Sequence, residues 1–176
     1  MSGQGISESA HPRQQQRTSM ATLGKAIAIA AQAHQDQYDK AGAPYILHPL
    51  RMMLRMGSEI EMMAAILHDV VEDTAWTLDK LRQAGFSEKV VQAVECLTHR
   101  DHETYDEFIA RVRTNAIASK VKLADLEDNM DMRRLSTLTE KDAERLHKYH
   151  RAWLALRQAE DAASVSPASR KWGTQA

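Results

Sequence analysis

The chain carries one cysteine, Cys96, so no internal disulfide can staple it, and a reducing compartment is the expected setting. Cys96 stands among Val90, Val91, Val94 and Leu97 at helical spacing, with nothing local to lower a thiol pKa, and is expected to be a small core residue. No apolar run approaches the roughly 20 residues that span a bilayer. The first 18 residues, MSGQGISESAHPRQQQRT, lack an apolar stretch and read as neither secretion signal nor membrane anchor. A soluble, cytoplasmic protein is therefore expected.

An excess of one charge is also missing. Lys and Arg number 23 against 24 Asp and Glu, for a formal net charge of -1, so no global field favours nucleic acid or an anionic membrane. Any phosphate binding must be built locally. Glycines number seven and prolines four, and no run of alternating β-branched residues occurs. With Ala, Leu, Met, Glu, Lys and Arg dominant, the expected fold is all-α, a single bundle of about seven or eight helices. At 176 residues the chain can bury one sizeable core without metal or disulfide scaffolding. The folded domain is expected over 19–160, with polar, flexible tails over 1–18 and 161–176.

Helix boundaries follow from capping signals. Ser19 predicts the start of a first helix running to about Gln37, and the turn Asp39-Lys40-Ala41-Gly42-Ala43-Pro44 breaks it. Pro49 predicts a second helix, with His48 at or beside its N-cap. Ser58 caps a third, expected from about Glu59 to Glu72. Thr77 opens a short helix closed by Gly85, and Ser87 caps the next, to about Leu97. Helices over 104–113 and 116–130 follow, and a last one starts near Thr139 and passes Trp153 and Leu156. The methionines Met52, Met53, Met56, Met62 and Met63 read as plastic core packing.

What the chain does have is the run His68-Asp69-Val70-Val71-Glu72-Asp73-Thr74, which follows the apolar stretch 62–67. Residues four apart share a helical face, so Glu72 lies under His68 and Asp73 under Asp69. A His-Asp pair emerging from an apolar core is costly unless a metal or a proton partner compensates it. An ordinary solvated acidic helix end is the competing reading. Two further groups in apolar surroundings, His48 in Tyr-Ile-Leu-His-Pro and Asp125 in Lys-Leu-Ala-Asp-Leu, favour the metal site. Two imidazoles and two carboxylates suit Mn²⁺, Fe²⁺, Zn²⁺ or Co²⁺ better than Mg²⁺ or Ca²⁺. Such an ion can acidify a water and polarise a phosphoryl group, with Glu72 and Asp73 placed to orient or deprotonate that water. His99 and His102 read as loop residues and His147 and His150 as members of a charged helix, with a substrate contact from His99 or Arg100 as the alternative.

These residues resemble the HD-domain phosphohydrolases, whose pattern of an upstream His, an adjacent His-Asp and a distant Asp falls here on His48, His68, Asp69 and Asp125. Three stretches, 42–49, 68–74 and 121–129, look more closely like the hydrolase domain of Rel/Spo-type alarmone enzymes and the small alarmone hydrolases, over about residues 22–157. The resemblance implies a Mn²⁺-dependent enzyme that removes the 3′-pyrophosphate from guanosine tetra- or pentaphosphate. It implies that Glu72 and Asp73 serve the catalytic water and that Lys40 and Asn129 contact the substrate. The chain is too short for a synthetase domain, so hydrolysis alone is expected. Family members usually have Gly-Gln where this chain has Asp36-Gln37, and a basic residue, associated with the guanine base or the phosphates, where it has Asp39. An acid at Asp39 would repel an anionic nucleotide. An HD-type nucleotidase or phosphomonoesterase acting on another nucleotide, and a catalytically silent nucleotide-binding module, are the alternatives. Nothing in the sequence sets the oligomeric state.

Overall fold

The helix-favouring composition yields nine α-helices, one short 3-10 turn over Met132–Arg134 and no strand among the described residues, which in this computed structural model are 20–135 and 137–164. In chain order they are α1 Leu23–Ala33, α2 Leu47–Met53, α3 Glu59–Leu67, α4 Val70–Asp73, α5 Leu78–Gln83, α6 Glu88–Leu97, α7 Tyr105–Val112, α8 Ala116–Asn129 and α9 Glu140–Ser164. The expected N-terminal tail lies outside the described residues. At the other end α9 runs to Ser164, past the point where a tail was expected to begin.

Side-chain caps set most of the starts. Ser58, Thr77 and Thr104 each accept from the backbone N–H three residues on, and Glu107 closes a reciprocal capping box with Thr104. Each such cap is worth about 1 kcal/mol. Thr22, not Ser19, caps α1, which ends at Ala33 rather than Gln37. Ser87 marks the start of α6 without a side-chain cap bond. Gly85, at φ 92°, makes the left-handed turn that follows α5.

Two boundaries differ from expectation where they matter. α2 begins at Leu47, so His48 lies within its first turn, with its N–H donating to the Tyr45 carbonyl at 2.9 Å. The helix expected over 59–72 divides into α3 and α4 at His68-Asp69. His68 explains the break. Its Nδ1 bonds the Ala65 carbonyl at 2.9 Å, the acceptor that a continuous helix would give to the Asp69 N–H. The helix resumes at once, with Asp73 N–H donating to the Asp69 carbonyl at 2.9 Å.

α3 is the central element. Met63, Ala64, Ala65, Ile66 and Leu67 are all buried, and the helix packs against α1, α2, α6 and α8. Burying each large aliphatic side chain there contributes about 1.5–3 kcal/mol. Met52, Met53 and Met63 are core residues, with Met56 and Met62 packed against them. Cys96 also packs on this core, and burial pushes its thiol pKa up. His147 is exposed on α9, and His150 stacks on Trp153. Among the described residues no helix is long and apolar enough to cross a membrane.

Candidate metal centre and substrate cavity

The bundle brings four distant positions to one point: His48 from the first turn of α2, His68 and Asp69 from the α3–α4 junction, and Asp125 from the middle of α8. His48, His68 and Asp125 are buried and offer ligand atoms within 4.8 Å of one another. His48 Nε2 lies 3.2 Å from Asp125 Oδ1 and 4.0 Å from Asp69 Oδ2, and His68 Nε2 lies 2.8 Å from Asp69 Oδ2. Asp69 therefore adjoins the three buried groups, with its Oδ2 also accepting from the Tyr45 hydroxyl.

These residues fit a divalent ion on a specific observation. A carbonyl can only accept, so the bond from His68 Nδ1 to Ala65 fixes the proton on Nδ1 and leaves a lone pair on Nε2. That Nε2 is buried without a hydrogen-bond partner, 2.8 Å from Asp69 Oδ2. A lone pair facing a carboxylate is stabilised by a cation between them. The electrostatics agree. Burial raises the Asp69 carboxyl, but the neighbouring His68 more than reverses this, leaving Asp69 below its ordinary value. Burial likewise raises Asp125, and the Lys122 charge with the two histidines brings it well below the usual carboxylate range. Burial lowers the His48 imidazole, but its interactions with Asp125 and Asp128 carry it up to about 9. The carboxylates are thereby kept ionised, and the positive charge that the His48 imidazole holds among them is one that a metal ion would replace.

Supporting residues surround the cluster, among them Asn129, read from the sequence as a substrate contact, and Lys122, Asp128, Arg51 and Tyr45, which were given no role there. Lys122 Nζ donates to Asp125 Oδ2 at 2.7 Å, and the other oxygen accepts from Asn129 Nδ2 at 2.5 Å. Asp128 Oδ2 lies 2.7 Å from His48 Nδ1, and Arg51 holds the same carboxylate through two bonds of 2.7 and 2.8 Å. Lys122, Asp128 and Asn129 are three before, three after and four after Asp125, spacings that share a helical face. That signal was available. Arg51 and Tyr45 stand three residues either side of His48, but their partners Asp128 and Asp69 lie across the bundle. His34 is also fully buried, with its ring 5.0 Å from that of Tyr45 and its Nδ1 2.7 Å from Gln37 Oε1.

The cluster opens on a cavity of about 680 Å³, within the range of small-molecule sites. His48, Asp69 and Asp125 line it with Glu72, whose Oε2 accepts from the His99 N–H at 2.8 Å. Asp73 is exposed on the next residue, outside the cavity lining, and its backbone carbonyl accepts from Gln37 Nε2 at 3.3 Å. Burial, and then the charges of Asp69 and Glu72, raise the Asp73 carboxyl. Lys40 and Asn129 both line the cavity, as does His99. Further cations, Lys122, Arg145 and Lys148, and the aromatic faces of Tyr38, Tyr105, Phe108 and Tyr149 join them. The α9 residues lie too far along the chain for any spacing rule to connect them with the metal motif.

Asp39 lines the cavity but is also committed to its own loop. Its Oδ1 accepts from the Ala41 and Ala43 N–H groups, both at 2.9 Å, and Gly42 turns the loop at φ 80°. The acid that departs from the family pattern is thus a closing residue of the loop that carries Lys40.

Comparison with known proteins places this geometry. A family model described as HD domain matches residues 26–151. The chain is similar to a protein of Aquifex aeolicus named guanosine-3′,5′-bis(diphosphate) 3′-pyrophosphohydrolase, 32% identical over 120 residues, covering 61% of this chain and 17% of that protein. It is similar to the Escherichia coli protein named bifunctional (p)ppGpp synthase/hydrolase SpoT, 32% identical over 123 residues, with 61% and 17% covered. A Mycobacterium leprae protein named probable GTP pyrophosphokinase is 31% identical over 127 residues, 65% of this chain and 16% of that one. The chain thus spans about a sixth of the length of these curated relatives. A solved structure described as a metazoan ortholog of SpoT that hydrolyzes ppGpp shares the fold, with a TM-score of 0.62 at 23% identity, covering 80% of this chain and 92% of the other. The matched segment contains all four clustered residues and Glu72 and Asp73, and the chain belongs to the HD domain family.

Proposed function

We propose that this chain is a metal-dependent phosphohydrolase that removes the 3′-pyrophosphate from guanosine tetra- and pentaphosphate. The observation that carries this reading is the buried His48-His68-Asp125 cluster, with Asp69 beside it, opening on a cavity lined by Glu72 and several cations. His48, His68, Asp69 and Asp125 would hold the ion, with manganese the first choice and other divalent transition metals compatible. When bound, such an ion supplies a more acidic water and a polarised phosphoryl oxygen. The relatives' names direct the choice of substrate, and a cytoplasmic setting suits a nucleotide substrate.

The chain's own groups then divide the work. Glu72, fixed by the His99 N–H, orients the attacking water and takes its proton. Asp73, the next acid of α4, stands beside Glu72 to take up that proton in turn and pass it on. Lys122, Arg145 and Lys148 offer positive charge to the phosphates, and Lys40 and Asn129, which line the same cavity, contact the nucleotide. The aromatic faces suit a base. In the balanced step the water oxygen joins the 3′-linked phosphorus and the bond from that phosphorus to the 3′-oxygen breaks. A proton goes to that oxygen, giving GDP or GTP and pyrophosphate.

The test is manganese-supplemented hydrolysis of guanosine tetraphosphate beside a panel of nucleoside mono-, di- and triphosphates, with products separated by ion exchange. GDP and pyrophosphate are expected from the tetraphosphate. Orthophosphate from monophosphates would assign the chain to the nucleotidases, and no turnover of any nucleotide would make it a binding module.

A further inference from the structure

We infer that Asp128, clamped by Arg51, is a positioning residue that sets the metal affinity of His48 from behind the imidazole. The inference rests on the reading of His48 as a metal ligand.

His48 has both ring nitrogens engaged. Nε2 faces Asp125 and Asp69, while Nδ1 lies 2.7 Å from Asp128 Oδ2. A carboxylate at neutral pH only accepts, so the shorter contact fixes a proton on Nδ1 toward Asp128, and Nε2, facing Asp125 and Asp69, is the nitrogen that would give its lone pair to a bound cation. The carboxylate also adds electron density to the ring, which makes Nε2 a stronger donor to a metal. His68 is oriented by a neutral backbone carbonyl instead. The two imidazoles are therefore unequal ligands, and His48 is the one carrying an acid behind it.

A carboxylate used in this way must itself be held still. Arg51 does so through Nε to Oδ1 at 2.7 Å and through a terminal nitrogen to Oδ2 at 2.8 Å, a two-pronged fork with matched planar geometry. Arg51 lies three residues after His48 on α2, and Asp128 three residues after Asp125 on α8. One turn of each helix thus supplies a ligand and its support, and the Arg51-Asp128 pair locks the two helices at the depth where the ligands meet. The Asp128 side chain is 10% exposed and that of Arg51 36%, so the acid is inside and the guanidinium reaches in from the surface. Arg51 can be replaced without opening the core.

The measurement is Mn²⁺ affinity by electron paramagnetic resonance of the free ion, on the full chain without substrate, with thermal melting of the metal-free proteins alongside. Asp128→Asn keeps size and an acceptor but removes the charge, and Asp128→Ala removes both. The dissociation constant should rise roughly 10-fold or more for Asn and up to about 100-fold for Ala. Arg51→Ala should weaken binding by a smaller factor, and Arg51→Lys should recover part of the loss. His48→Ala serves as the reference for losing the ligand itself. Variants that melt at lower temperature yet bind Mn²⁺ as tightly as the wild type would overturn the inference, showing Asp128 to be only a packing and ion-pair residue. Wild-type protein without Mn²⁺ binding would overturn the metal reading as well, and the two failures are told apart by the wild-type measurement alone.

Discussion

Glu72 Oε2 accepts a hydrogen bond of 2.8 Å from the backbone N–H of His99, joining the short helix α4 to the loop between α6 and α7. A backbone donor cannot swing away as a side chain can, so the carboxylate is aimed by the loop. Arg111 in turn holds that loop, donating to the carbonyls of Glu95, Cys96 and Thr98 and pairing with Glu103. The His48-His68-Asp125 cluster and the acid beside it are therefore supported from different sides of the bundle.

This division predicts separable defects. Asp69→Ala should remove metal binding and activity together. Glu72→Ala should leave metal occupancy near the wild-type value while lowering turnover about 10²- to 10⁴-fold. Metal content by mass spectrometry beside steady-state rates checks both, and equal metal loss in the two variants would refute the role given to Glu72.

The Arg111-Glu103 pair makes an acid-sensitive joint in the loop. Its side chains are 15% and 12% exposed, and the hydrogen bonds from Arg111 hold the Glu103 carboxyl down to about 2 from an ordinary value of 4.5. A carboxyl lowered on folding stabilises the protein fully above its unfolded pKa, and that contribution is lost as pH falls through the folded value. The loss should thus run from about pH 4.5 down to pH 2. Glu103→Gln should flatten the melting temperature across this window relative to wild type, and should cost about 1.5–3 kcal/mol at pH 7. An unchanged slope would show that other carboxyls govern acid stability.

Asp39 can be tested without breaking its loop. Asp39→Asn retains an oxygen for the Ala41 and Ala43 N–H groups while removing the charge. The KM for guanosine tetraphosphate should fall several-fold with kcat near unchanged. Asp39→Arg removes both loop bonds and should melt lower. An unchanged KM for the Asn variant would mean that the carboxylate does not act on the substrate.

Metal removal should lower stability in proportion to occupancy. At a metal concentration 100 times the dissociation constant, binding contributes about 2.7 kcal/mol, so chelation should lower the melting temperature by roughly 5–10 °C. Asp125→Ala should show no chelator effect. A wild type that melts identically with and without chelator would contradict a metal site in the native bundle.

Much of this was legible before any coordinates, and for identifiable reasons. Ser58, Thr77 and Thr104 announce helix starts because a short side chain three residues before a free N–H has one obvious use. His48, His68, Asp69 and Asp125 stood out because imidazoles and acids in apolar surroundings need compensation. The break at His68-Asp69 was hidden, since it depends on a side chain taking the Ala65 carbonyl rather than on glycine or proline. Arg51, Tyr45, Arg145 and Lys148 were hidden for a different reason. Asp128 and Asp69, the partners of Arg51 and Tyr45, lie across the bundle, and Arg145 and Lys148 reach the cavity only because α9 packs on α7 and α8.

The most direct single measurement is turnover of guanosine tetraphosphate in ¹⁸O-labelled water with manganese, followed by mass analysis of the products. One ¹⁸O in pyrophosphate and none in GDP is the expected result, placing water attack at the 3′-linked phosphorus. Label in GDP, or orthophosphate as the released product, would contradict the proposed pyrophosphohydrolase reaction.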